Sequence, residues 1–146
     1  MTDKEMFDER QLQIRGDIFK NSFIVAIFTL IINAFLNGLN IIWADGFQQN
    51  ILIAIFLFTV FTVQSIIRGV FFNRLSRSGF VIAIFGCCFI IWVLLSASHF
   101  INGAVFAADG ALTKDGYSVI YCALIGVNFF VGLIKYIQNK KQEKEQ

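Results

Sequence analysis

At 146 residues the chain is long enough for one domain, and 57% of it is apolar, above the roughly 45–50% usual in soluble domains. The net charge of +2 is too small to point to a nucleic-acid partner, and the three cysteines, Cys87, Cys88 and Cys122, all lie in apolar stretches. An odd count so placed does not read as a secreted disulfide framework, and the absence of proline leaves every helix free of a proline kink.

The first 21 residues carry mixed charge, including Asp8, Glu9 and Asp17. The apolar run that follows exceeds the core of about 7–15 residues of a signal peptide, so a retained helix is expected. Asp8-Glu9-Arg10-Gln11 has the spacing of a capping box, with Asp8 as N-cap and Gln11 reaching back. Leu12, Ile14, Ile18 and Phe19 form an imperfect apolar face behind it. The spacing predicts a short juxtamembrane helix, lying on the inner leaflet or leading into the first span; a solvated lead-in is the plainer reading.

Crossing about 30 Å of hydrocarbon takes about 20 helical residues. Four stretches meet that length without Asp, Glu, Lys or Arg: 22–43, 48–67, 79–98 and 117–134. They are continuously apolar, whereas a membrane barrel alternates apolar and polar residues. The expected fold is therefore all-α: a four-transmembrane-helix bundle forming one integral membrane domain over residues 1–146. Residues 1–21, the loop 68–78 and the tail 135–146 lie on one side, and the loop 99–116 on the other. The third span has the least definite end, because 99–108 is too apolar for an ordinary loop. Either the helix extends to 108 or a short interfacial helix follows. Asp109-Gly110 and Asp115-Gly116 read as turns bracketing the true loop.

Orientation follows the basic residues of short loops. Lys4, Arg10, Arg15 and Lys20 precede the first span, and Arg68, Arg74 and Arg77 follow the second. Lys135, Lys140, Lys141 and Lys144 close the chain, and only Lys114 falls on the opposite side. Both termini are thus expected in the cytoplasm. Trp43, Tyr117 and Tyr121 near the outer ends and Tyr136 at the inner end suit interfacial anchoring. Trp92 lies deeper and is expected to donate its indole N–H to a neighbouring helix.

The first span carries Asn33, Asn37 and Asn40 at helical spacing, continuing the line of Ser22, Ala26 and Thr29. Polar groups in lipid need partners, so this stripe is expected to face the bundle interior. It reads either as hydrogen-bonding glue or as the lining of a small-solute path. Thr62 and Ser65 of the second span are candidate partners, on a stripe shared with Thr59. Arg68 at its end is expected to snorkel to headgroups. Gly79, Ala83 and Cys87 in the third span, and Cys122 and Gly126 in the fourth, have the small-xxx-small spacing that lets helices approach closely.

No catalytic, metal or cofactor constellation is found. His99 is the only histidine, too few for a bis-histidine haem or a histidine-based metal cluster. The cysteines sit where hydration is poor, which disfavours thiolates and a thiol redox role. No acid lies inside a span to couple proton antiport. No cofactor is therefore expected, and the partners expected are membrane lipids and a second copy or another membrane protein. The leading expectation is a non-enzymatic small membrane protein acting through protein contacts, as an accessory, immunity or sensor component. The alternative is a small-solute transporter or channel subunit using the stripe of the first span. Asp8, Glu9, Arg10, Gln11 and Arg15 form the candidate cytoplasmic contact motif.

The stretch Asp8-Glu9-Arg10-Gln11-Leu12-Gln13-Ile14-Arg15 resembles the opening of an uncharacterised family of small four-helix membrane proteins of Gram-positive bacteria. The likeness continues through Leu39–Trp43 and Ile66-Ile67-Arg68, about half the chain. It implies a bacterial plasma-membrane protein whose acidic-basic motif and Arg68 serve the fold or its contacts, and it carries no activity.

Overall fold

The computed structural model describes residues 9–71 and 75–144, with side-chain surroundings given for 9–71 and 79–142. Helix α1 spans Glu9–Gly38, α2 Gly46–Ile67, α3 Leu75–Ile101 and α4 Lys114–Lys144. Strands β1 (Ala107–Ala108) and β2 (Ala111–Leu112) form a small antiparallel hairpin between α3 and α4. All four helices contain a window long and apolar enough to cross a membrane. The shortest, α2, has 22 residues and rises about 33 Å. The protein is an all-α, multi-pass membrane bundle.

The ends of the helices follow from local chemistry. Asp8 lies outside the described residues; from Glu9 onward the N-terminal segment is continuous with α1, so it leads into the first span as its opening turns. α1 then stops at Gly38, short of Trp43. Asn40 turns left-handed at φ 57°, and the N–H of Ile41 returns to Leu36 O at 3.0 Å, closing the helix with a Schellman-type bond. Asparagine tolerates that conformation better than a β-branched residue. α2 ends the same way, with Gly69 at φ 73° and the Val70 N–H on Ser65 O at 3.1 Å.

The third helix ends at Ile101 rather than running to 108, and no interfacial helix follows. Its last turn closes with the Asn102 N–H on Ser98 O at 3.2 Å, and Gly103 is left-handed at φ 79°. The apolar stretch beyond forms the hairpin, turning at Asp109 (φ 51°) and Gly110 (φ 80°). Two positive φ values in a two-residue loop make the type I′ turn that Asp-Gly favours. Asp115-Gly116 does not form a second turn; it lies in the first turn of α4. There Thr113 Oγ1 accepts the Gly116 N–H at 3.4 Å.

The helices pack in the order α1–α2–α4–α3, with α2 and α4 central. Helices in lipid gain little from a hydrophobic drive, so close packing and hydrogen bonds hold them together. α3 and α4 achieve this by exchange. A Cβ on Gly86 would stand 2.9 Å from the Phe129 ring, and one on Gly126 would stand 2.8 Å from the Phe89 ring. Each glycine thus leaves room for the other helix's phenylalanine, and the two rings stack at 5.8 Å. The α3 side of this seam runs through buried Gly86; Ala83 and Cys87 are exposed. Nearer the chain ends, Ile66 and Ile82 meet over Gly132, where an added Cβ would stand 3.9 and 3.5 Å from them.

Candidate functional site

The polar residues collect at the end of the bundle that carries the α1–α2 turn and the hairpin. Trp43 folds back from the turn and donates its indole N–H to Asn33 Oδ1 at 2.9 Å. Asn37 donates to Gln49 Oε1 at 3.3 Å, and Gln49 donates to Ala44 O at 2.8 Å. α4 joins through its tyrosines: Tyr117 accepts the Asp45 N–H at 3.0 Å, and Tyr121 donates to Gln48 Oε1 at 2.7 Å. The hairpin joins through the Leu112 N–H, which donates to Trp43 O at 2.9 Å. Beside it, Ser96 of α3 and Ser118 of α4 share a buried hydroxyl bond at 2.9 Å.

The asparagine stripe is therefore divided among three environments. Asn33 is half-buried and bonded to Trp43, Asn37 is exposed but reaches Gln49, and Asn40 is exposed where α1 ends. Thr62 and Ser65 are buried in α2. Ser65 turns back to Phe61 O of its own helix at 2.8 Å, and Thr62 Oγ1 has no hydrogen-bond partner. Trp92 meets α4 through its ring, 5.0 Å from the ring of Tyr121.

Asn128 was not singled out in the sequence. It lies on α4, 2% exposed, and donates to Thr59 Oγ1 of α2 and to Leu124 O, both at 2.9 Å. Its Oδ1 is buried without a partner. A lone amide within an apolar span was the available signal, because such groups normally face a partner helix. The two adjacent glutamines that start α2 were equally legible, since a buried amide there must be bonded.

Below the Trp43–Asn33 bond lies a cleft of about 280 Å³, bounded by Thr29, Asn33, Trp43, Leu52, Phe56 and Leu124. Its polar edge is already engaged: Thr29 donates to Val25 O at 2.8 Å, and Asn33 accepts from Trp43. What remains is an apolar recess between α1, α2 and α4.

At the opposite end, Glu9 and Arg10 are exposed and Gln11 is half-buried. Arg15 reaches across to α2's exit and donates to Val70 O at 3.3 Å. Of the candidate contact motif, Arg15 is thus tied to α2, while Glu9 and Arg10 face outward. The cysteines are free, and among the described residues no group of histidine, cysteine and acid side chains could hold a metal ion.

No family model matches the chain, and neither a curated protein nor a solved structure matches it.

Proposed function

We propose that this chain is a non-enzymatic component of the bacterial plasma membrane, with both ends cytoplasmic, that acts by binding another membrane protein or a second copy of itself. The observation that carries the reading is the position of α1. Among the described residues it packs chiefly on α2, and only 6% of its spanning window is buried within the chain. Phe23, Phe28, Ile31 and Phe35 are each more than half exposed. A thirty-residue helix held along one side has most of its surface available to a partner. The exposed Glu9 and Arg10 extend that surface toward the cytoplasm. The eleven basic residues on the side of the termini support the orientation, and the resemblance at Asp8–Arg15 supports the bacterial setting.

The alternative, a solute path along the stripe of the first span, has the cleft beside Thr29 and Asn33 in its favour. Both polar groups are bonded within the chain, which favours a packing role for them.

Photo-crosslinking groups placed singly at Phe28 and Phe35 in native membranes test the reading, with Leu94 on α3 as comparison. Discrete protein adducts from α1 and none from α3 are expected. A chain that is monomeric and gives no protein adduct from either α1 position would refute it.

A further inference from the structure

The end of the bundle that carries the termini holds a cavity of about 230 Å³, bounded by Arg15 and Phe19 of α1 and by Phe61, Ser65 and Phe71 of α2 and its exit. Its two halves differ in chemistry. The guanidinium of half-buried Arg15 stands at one edge. The rings of Phe19 and Phe61, 5.2 Å apart and tilted by 54°, form an apolar wall. Arg15 lies about one helical turn, or roughly 5.4 Å, outside Phe19, and charged Asp17 and Lys20 flank that position. This is the depth at which the spans give way to headgroups.

We propose that this cavity holds the phosphate headgroup of an anionic phospholipid, with Arg15 against a phosphate oxygen and the phenylalanines against the glycerol and the upper acyl carbons. Arginine's planar fork of N–H donors suits a phosphate, and basic pockets between membrane helices take up anionic headgroups. The carbonyl end of α2 would by itself repel an anion. Here the last turn is closed by its own backbone: the N–H groups of Arg68, Gly69 and Val70 return to Gln64 O, Ile66 O and Ser65 O. Val70 O accepts from Arg15, so that carbonyl is also covered. Of the described charged residues at this end of the bundle, the basic Arg10, Lys20 and Arg68 outnumber the acidic Glu9 and Asp17. The volume fits a headgroup and not a whole lipid, which leaves the acyl chains to lie along α1 in the bilayer.

The test uses the full chain in nanodiscs of phosphatidylcholine containing a minor share of phosphatidylglycerol, with native mass spectrometry of the lipids retained on release. Phosphatidylglycerol should be retained about fivefold over its share of the bilayer. Arg15→Gln should bring retention down to that share, and Arg15→Lys should keep part of the preference. Lys140→Gln, which removes the same charge from the exposed tail, should change nothing. Thermal unfolding in phosphatidylcholine alone establishes that each variant folds. The wild-type comparison of the two lipids stands even if Arg15→Gln does not fold. Equal retention of the two lipids would overturn the proposal, as would a loss of preference in Lys140→Gln equal to that in Arg15→Gln. Displacement of the lipid by inorganic phosphate would assign the site to free phosphate and overturn the lipid source.

Discussion

Trp43 closes back over the end of α1 and donates its indole N–H to Asn33 Oδ1 at 2.9 Å, so a polar residue inside the first span is bonded by the turn that follows it. Asn33→Leu should therefore lower stability by about 0.5–1.5 kcal/mol, the range for a hydrogen bond between membrane helices and their neighbours. Asn37→Leu should cost no more than that, because Asn37 is exposed and its bond to Gln49 Oε1 is the longer of the two at 3.3 Å. Thermal unfolding in mild detergent measures both. Combining Asn33→Leu with Trp43→Phe should cost little more than either change alone, since both remove the same bond. If Asn33→Leu left stability intact while altering a measured solute flux, the solute-path reading would replace the packing one.

This pair also shows how far the sequence could be read. Four spans followed from length and charge-free apolar runs, since any backbone in hydrocarbon must satisfy its own hydrogen bonds. That requirement is local and needs no knowledge of neighbours. The fate of the asparagine stripe was not local. Periodicity put Asn33, Asn37 and Asn40 on one face, but the left-handed Asn40 ended the helix and carried Trp43 back onto Asn33. Apolar composition likewise could not reveal that 107–112 would pair as a hairpin, because that depends on the Asp109-Gly110 turn finding a seat against α4 and Trp43. Asn128 was readable as a lone amide; its partner Thr59, 69 residues away, was not.

Two of the three buried side-chain polar groups that lack a full set of partners among the described residues, Thr62 and Asn128, predict a different outcome from Asn33. Thr62 is fully buried and its Oγ1 is unbonded. Thr62→Val keeps the shape and removes a desolvated hydroxyl, so it should be neutral or stabilising by up to about 1 kcal/mol. Asn128→Leu loses the bond to Thr59 but also removes the unpartnered Oδ1. Its net effect should fall within about 1 kcal/mol of zero, and Thr59→Val should add little to it. Unfolding midpoints of the three variants, compared with Asn33→Leu in one detergent, check the ordering.

The reciprocal glycine–phenylalanine seam predicts a strong dependence on side-chain size between α3 and α4. Gly126→Ala would put a methyl 2.8 Å from the Phe89 ring, forcing the ring aside at a cost of about 1–3 kcal/mol. Phe89→Ala also destabilises, by opening a void. The pair together should recover part of the loss, because the new methyl then occupies space the ring has left. A double-mutant cycle on thermal unfolding gives the coupling. Strictly additive losses would mean that the seam is looser than the geometry requires.

The hairpin end should be controlled by Gly116 more than by charge. His99 Nδ1 and Asp115 Oδ1 are 2.6 Å apart, with the side chains 40% and 25% exposed, and so exposed a polar contact is worth at most about 1 kcal/mol. Asp115 also accepts the Val105 N–H at 3.1 Å through Oδ2, so Asp115→Ala should loosen the hairpin more than His99→Gln. Gly116 leaves no latitude. A Cβ there would stand 2.3 Å from Phe106 O, a backbone atom that moves only if the hairpin leaves its seat on α4. Hydrogen exchange should then show Gly116→Ala releasing the Leu112 amide, which is bonded to Trp43 O. The Tyr121 amide, within α4, should keep its protection. Because Leu112 is the hairpin's tie to the α1–α2 turn, the same variant should expose Trp43 and shift its fluorescence, whereas His99→Gln should leave that signal nearly unchanged.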